Sequence, residues 1–174
     1  VSVVLSPYKL NEMMQKLYYK ILPLLGINRC ITKAWRMLPE MYQGLGLPNF
    51  VVIAFAAKVY FLQSHWGFEG ATSDAMQFAY EAFLVEIGLY GNIFSHSFEK
   101  YKILATDGTW FKNFWELGDH LDITLDLRKD FHLQPVRQND RAIMEVLSTD
   151  GGFAGSTLEA LNVVRLDQNV VHMS

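Results

Sequence analysis

The feature that most constrains the fold is a run of apolar residues from Phe50 to Leu62. Lys58 is the only charged residue in that run. A membrane-spanning helix needs about 20 apolar residues, so the run is too short to cross a bilayer. It predicts a helix buried in a protein core. The sequence contains no signal peptide and no predicted membrane span.

Helix signals recur along the rest of the chain. Capping residues or prolines precede segments whose apolar residues are spaced i, i+3, i+4 and i+7. The predicted helix starts are Ser6-Pro7, Asn28, Asn49, Ser73-Asp74, Phe98, Asp107 or Thr109, Asn139-Asp140 and Ser156. The stretch from Leu121 to Val136 is predicted to be extended or loop-like, with a short strand near Ile123 to Leu127. We therefore predict one all-α domain over residues 1–174, an irregular bundle of six to seven helices with little or no strand.

The composition is apolar for a chain of this size. Hydrophobic residues make up 51% and charged residues 19%, against about 25% charged residues in an average domain. This excludes a disordered chain and indicates apolar surface that a partner or neighbouring domain covers. The single cysteine, Cys30, excludes an internal disulfide and fits a reducing compartment. We expect an intracellular protein, cytoplasmic or nuclear. Because the sequence starts at Val1, we also expect a segment of a longer polyprotein.

The charge balance limits how the chain could bind nucleic acid. The net charge is −3, whereas a free-standing nucleic-acid binder is usually basic. Any such contact must therefore come from a local patch. Arg29, Lys33 and Arg36 are spaced i, i+4 and i+7 and would share one face of a helix predicted over residues 28–38. A solvated helix face explains the same spacing.

No set of residues matches a complete catalytic or cofactor site. The four aspartates in the segment 119–130 fit no metal-binding loop and are typical of a solvated acidic stretch. Cys30 is more typical of a packed residue than of a nucleophile. The aromatic helix from Trp110 to Trp115 is more typical of core than of base stacking. No histidine has the spacing of a metal ligand, and the full set is His65, His96, His120, His132 and His172. We expect no metal and no cofactor in this chain.

Three segments resemble the region that follows the polymerase palm in reverse transcriptases of non-LTR-type retrotransposons. The first is Leu38-Pro39 with Gly44-Leu-Gly-Leu-Pro-Asn49, which departs from the usual pattern at Gln43, where glycine is commoner. The second is Tyr80 to Gly91. The third is Asp140-Arg141-x-x-Met144 with Asn162-x-x-Arg165 and a Val-Val-His-Met-Ser ending.

This resemblance implies a thumb-like or connecting role. The chain would hold a template–primer RNA/DNA duplex and contact both the palm and a downstream nuclease-like domain. The parent RNA-directed DNA polymerase would use Mg²⁺, but no Asp-Asp pair is present here, so no catalytic residue can be carried over. Arg29, Lys33 and Arg36 would contact the duplex. Gly44, Gly46 and Pro48 would set a structural turn. The alternative is a free-standing helical scaffold or protein-interaction domain, including a degenerate relic of such an element.

Overall fold

The computed structural model describes residues 4–127 and 140–173. These ranges contain eight α-helices, three short 3₁₀ helices and a pair of two-residue strands. The α-helices are α1 (Pro7–Leu24), α2 (Lys33–Met37), α3 (Phe50–His65), α4 (Ala71–Ile87), α5 (Phe98–Tyr101), α6 (Trp110–His120), α7 (Ile143–Thr149) and α8 (Gly155–Asp167). The 3₁₀ helices are Glu40–Tyr42, Ile93–Ser95 and Lys102–Leu104. The strands β1 (Arg141–Ala142) and β2 (His172–Met173) pair antiparallel. The prediction of an irregular all-α bundle is confirmed.

Capping chemistry explains where the first long helices begin. The Ser6 hydroxyl accepts a hydrogen bond from the N–H of Lys9 at 3.3 Å, and Pro7 occupies the first turn of α1. The side-chain oxygen of Asn49 accepts from the N–H of Val51 at 3.0 Å at the start of α3. Both predicted starts are confirmed.

Several predicted boundaries are wrong. Helix α4 begins at Ala71, so Ser73 lies inside it as a buried residue whose hydroxyl accepts from the Gln77 amide. Helix α7 begins at Ile143 because the two preceding residues pair with β2. Helix α8 begins at Gly155, one residue before Ser156. The strand predicted near Ile123 to Leu127 is not formed. Asn139 and residues 128–136 lie outside the described ranges.

The main core is an aromatic cluster between α3, α4 and α6. The ring centroids of Phe55 and Phe114 are 5.4 Å apart, and those of Tyr80 and Phe111 are 5.1 Å apart. Tyr80 and Phe114 are both 0% exposed. The aromatic residues of α6 therefore form core, as the sequence predicted.

A second, smaller cluster lies on the C-terminal half of α1. Met14, Tyr18 and Leu22 form its buried centre, and partly buried apolar residues from the chain before α3 pack around them. Phe50, at the start of α3, packs against both this cluster and the main core. Residues 14–50 thus contain an apolar cluster of their own, which is connected to the main core by Phe50 and by Leu10 of α1.

Among the described residues, no helix has both the length and the apolar character needed to cross a bilayer.

Candidate nucleic-acid interface

Arg29 does not belong to the helix that carries Lys33 and Arg36. Helix α2 begins at Lys33. The side chain of Asn28 accepts from the N–H of Cys30 at 2.8 Å, and the hydroxyl of Thr32 accepts from the N–H of Trp35 at 3.4 Å. The backbone of Thr32 is extended, with φ −63° and ψ 152°, so a helix cannot run through it, and Thr32 caps a new helix instead. The predicted helix over residues 28–38 and its single basic face are therefore wrong.

Arg29 and Lys33 are instead held by side chains of α1. The Arg29 guanidinium lies 4.4 Å above the Tyr19 ring centroid and donates to the Tyr19 hydroxyl at 3.2 Å. The Lys33 ammonium donates to the side-chain oxygen of Asn11 at 3.1 Å. Burial raises the pKa of Tyr18, and the charge of Arg36 opposes that rise. Arg29 and Lys33 are thus exposed beside α1, whereas Arg36 is half-buried and its Nε has no hydrogen-bond partner among the described residues.

Charge is distributed unevenly along this acidic chain. Residues 1–48 contain six Lys and Arg against two acidic residues, whereas residues 49–174 contain nine against sixteen. Glu12, one of the two, pairs with Lys9 and Lys16 at 3.1 and 2.6 Å, and their hydrogen bonds lower its pKa. We call the side chains of Arg29, Lys33 and Arg36 the basic patch.

Exposed aromatic rings lie on the same two helices and beside them. Trp35 on α2 is 46% exposed and Tyr19 on α1 is 59% exposed, and Tyr8 and Tyr42 are exposed as well. Rings of this kind can stack on nucleic-acid bases next to cations that bind phosphates. Sequence reasoning weighed the rings of α6 for this role and missed these. The sequence did contain a signal for them, because these aromatic residues lie among the Lys and Arg residues of the first 48 positions.

The glycine turn before α3 folds back onto α2. The N–H of Gly46 donates to the Leu38 carbonyl at 2.9 Å, and the N–H of Leu47 donates to the Arg36 carbonyl at 2.8 Å. A Cβ on Gly44 would lie 2.0 Å from the Leu38 oxygen, so only glycine fits there. The Pro48 carbonyl accepts from the Tyr18 hydroxyl. The turn therefore fixes α2, and with it part of the basic patch, against α1.

Gln43 occupies the position where the resembled pattern more commonly has glycine. Its φ is +62°, in the left-handed region that side chains rarely adopt. The backbone geometry supplies a physical reason for glycine at this position.

The other two resembling segments meet at the carboxyl end of α4. The Tyr80 hydroxyl donates to the Gly91 carbonyl and accepts from the N–H of Ile93, both at 2.9 Å. A Cβ on Gly88 would lie 2.5 Å from Met144 Cγ and 2.7 Å from Arg165 Nε. These residues of the pattern therefore act in helix packing rather than at a surface.

The described residues of the acidic segment and the described histidines form no metal-binding group. Asp119 accepts from the N–H of Phe98 at 3.3 Å, which is a structural role. Burial lowers the pKa of His96. In the ranges that the structure describes, no group of three or more His, Cys, Asp or Glu side chains could hold a metal ion. Asp130 and His132 lie outside those ranges. Cys30 is exposed, so its interpretation as a packed residue is wrong.

Comparisons of the chain with protein-family models, with curated proteins and with solved structures gave no match.

Proposed function

We propose that this chain is a non-catalytic, thumb-like or connecting helical portion of a retrotransposon-type reverse transcriptase, where it positions the template–primer duplex and braces neighbouring domains. The observation that carries the proposal is the basic patch, interleaved with exposed aromatic rings, on a chain that is acidic elsewhere. The resemblance of the glycine turn and of the two later segments to the region after the palm in such reverse transcriptases adds support.

The basic patch would act on the duplex backbone. Lys and Arg neutralise phosphates and release counterions, and this supplies most sequence-independent affinity. Tyr19 and Asn11 orient Arg29 and Lys33 before any ligand arrives, which reduces the entropy lost on binding. Catalytic carboxylates and Mg²⁺ would belong to the polymerase palm, and this chain would contribute only positioning.

The bracing role is supported by the surface of α3. That helix is apolar on all sides, a property of helices that are covered all round. Yet Val52, Ile53 and Tyr60 are exposed. A neighbouring domain would cover this face.

Duplex binding measured against salt tests the proposal. An RNA–DNA hybrid should bind with a logarithmic salt slope of about −0.9 or −0.7 for each phosphate neutralised, as for other nucleic acids. Replacing Arg29, Lys33 and Arg36 by Gln should flatten the slope by about 2 to 3. The matched control replaces Lys100, Lys102 and Arg141, which lie outside the patch, and should leave the slope unchanged. A slope near zero for the unmodified chain contradicts phosphate contact.

The second candidate function is a free-standing helical scaffold or protein-interaction domain. The exposed apolar face of α3 favours it, because large exposed apolar patches mark interaction sites. The two functions differ in their genomic context. A hairpin Asp-Asp pair encoded upstream of Val1 would support the polymerase, and its absence together with a flat salt slope would support the scaffold.

A further inference from the structure

A long apolar groove runs between α3 and α4 and ends at the N-terminus of α6. Its volume is about 1190 Å³. It follows α4 from Ala71 to Glu86, a distance of about 22 Å at the rise of an α-helix. Met76, Phe83 and Phe111 form buried parts of its wall, and Ala57, Ala75, Ala79 and Ala82 are exposed along it. We call this feature the Lys58 groove, after the one lysine that lines it.

Lys58 is an unusual residue for such a place. Its side chain comes from α3 and is only 8% exposed. The ammonium group makes no hydrogen bond to any of the described residues and lies 4.6 Å from the centroid of the Trp110 ring. A cation–π contact offsets only part of the cost of burying a charge. Glu86, also on the groove, already accepts from the N–H of Thr106 at 2.6 Å.

We propose that the Lys58 groove receives an amphipathic helix of a neighbouring polypeptide domain, and that this helix carries one carboxylate side chain within its apolar face, opposite Lys58. The proposal rests on the bracing role in the proposed function and extends it to a second face of α3, because Val52, Ile53 and Tyr60 do not line the groove. It does not depend on duplex binding.

The shape of the groove favours a helix over a small molecule. Small-ligand sites usually hold about 300–1,000 Å³ and enclose most of the ligand. This groove is larger, and its alanines are exposed along several turns of α4. Small side chains at i, i+4 and i+7, here Ala75, Ala79 and Ala82, let a second helix approach closely. An amphipathic helix laid into an apolar groove is a recurrent mode of recognition.

The charge of Lys58 determines which side chain the bound helix should place opposite the ammonium group. An apolar residue opposite the ammonium would leave it buried without a partner, and a second cation would repel it. A carboxylate supplies the missing acceptor and neutralises the charge, and in a desolvated site removal of one member of such a pair is costly. The lysine therefore acts as a specificity determinant in an otherwise apolar surface.

The test uses the full chain and two synthetic helical peptides of about 16 residues, enough for four turns. Both carry Leu and Ala on one face and differ at one central position of that face, which is Glu in one peptide and Gln in the other. Fluorescence anisotropy of the labelled peptides measures affinity. We expect the Glu peptide to bind the unmodified chain about tenfold more tightly than the Gln peptide. Lys58→Met should remove this preference, and Lys100→Met, outside the groove, should preserve it.

A second measurement keeps the test decisive if Lys58→Met fails to fold. A carbodiimide joins a carboxylate to a lysine amine in contact with it as an amide, and the reagent leaves as its urea. Mass spectrometry should locate the cross-link of the Glu peptide at Lys58.

The proposal is overturned if the two peptides bind the unmodified chain with equal affinity, or if neither binds at about 1 mM. A cross-link at a residue other than Lys58 would also overturn it. So would binding of dodecanoate, a small apolar carboxylate, without binding of the peptides. Loss of duplex binding with intact peptide discrimination would contradict only the nucleic-acid part of the proposed function.

Discussion

The guanidinium of Arg165 donates to the main-chain oxygen of Glu86 at 3.0 Å, which joins α8 to the carboxyl end of α4. The same side chain donates to the carbonyls of Val85 and Val170 and to the side-chain oxygen of Asn162. The last carbonyls of a helix are free acceptors with partial negative charge. A cation that is 95% buried is thus stabilised by main-chain oxygens.

Replacing Arg165 by Met should destabilise the fold strongly. The Val85 carbonyl would lose its side-chain donor and the Glu86 carbonyl would keep only the Asn162 amide, so we expect a loss of about 3 kcal/mol in the free energy of unfolding. Urea denaturation measures it. Arg141→Gln is the control, because it breaks an exposed ion pair with Asp150 and should cost less than about 1 kcal/mol. Equal losses would show that Arg165 has no special role in joining the helices.

Alanine variants of Gly88 and Gly91 distinguish the cost of backbone strain from the cost of steric crowding. Both have positive φ, +75° and +77°. A Cβ on Gly88 would meet Met144 Cγ at 2.5 Å, whereas no atom lies within 4 Å of a Cβ on Gly91. Gly91→Ala should cost about 1–2 kcal/mol from conformation alone. Gly88→Ala should cost about 1–3 kcal/mol more from overpacking. Thermal and urea unfolding of the two variants provide the comparison, and similar costs would contradict the close approach of α4 and α7.

Substitutions at the neighbouring positions Gln43 and Gly44 should have opposite effects on the stability of the glycine turn. Gln43→Gly removes a side chain from left-handed backbone and should stabilise the chain or leave it unchanged, within about 1 kcal/mol. Gly44→Ala brings a methyl group against the Leu38 carbonyl and should open the turn. Hydrogen exchange at the amides of Leu45 and Leu47, which donate to α2, should accelerate in Gly44→Ala only. Unchanged protection there would contradict the pairing of the turn with α2.

Lys58 should make stability rise with pH above neutrality. Burial lowers its pKa to about 8, against about 10.4 for an unfolded lysine. Above pH 8 the unfolded chain therefore binds more protons than the folded chain, so raising the pH favours folding. We expect a gain of about 1–2 kcal/mol between about pH 8 and pH 9.5.

Urea unfolding at the two pH values measures this gain, and Lys58→Met should abolish it. Burial raises the pKa of Tyr18 and Tyr80. Their unfolded forms release protons near pH 10, so they reverse the trend at higher pH, and the window must end below it. A flat profile in the unmodified chain would place Lys58 in a more hydrated setting than the groove provides.

The fold class could be predicted because its signals are local. Ser6-Pro7 and Asn49 carry their capping chemistry in the side chain itself, and α6 repeats its aromatic residues with the period of a helix. The boundaries that failed depend on distant residues. Arg141 and Ala142 form a strand only because residues 172 and 173 return beside them, and no local pattern contains that pairing.

The nucleic-acid role of Arg29, Lys33 and Arg36 stays a prediction, but the structure changes the geometry expected for them. Arg29 and Lys33 do not share one helix, because Tyr19 and Asn11 of α1 hold them separately. The spacing i, i+4, i+7 could not reveal this, because Thr32 delays the helix by its cap. The Lys58 groove was equally hidden, since its walls come from three helices separated in sequence.

Phe50 packs against both apolar clusters, which differ in size and therefore in the free energy needed to open them locally. The cluster of Met14, Tyr18 and Leu22 is small, and units with few buried apolar contacts open at lower free energy than the rest of a domain. We therefore expect the segment around α2 to open at a lower free energy than the aromatic core, so its amides should exchange hydrogen faster than those of α4 and α6.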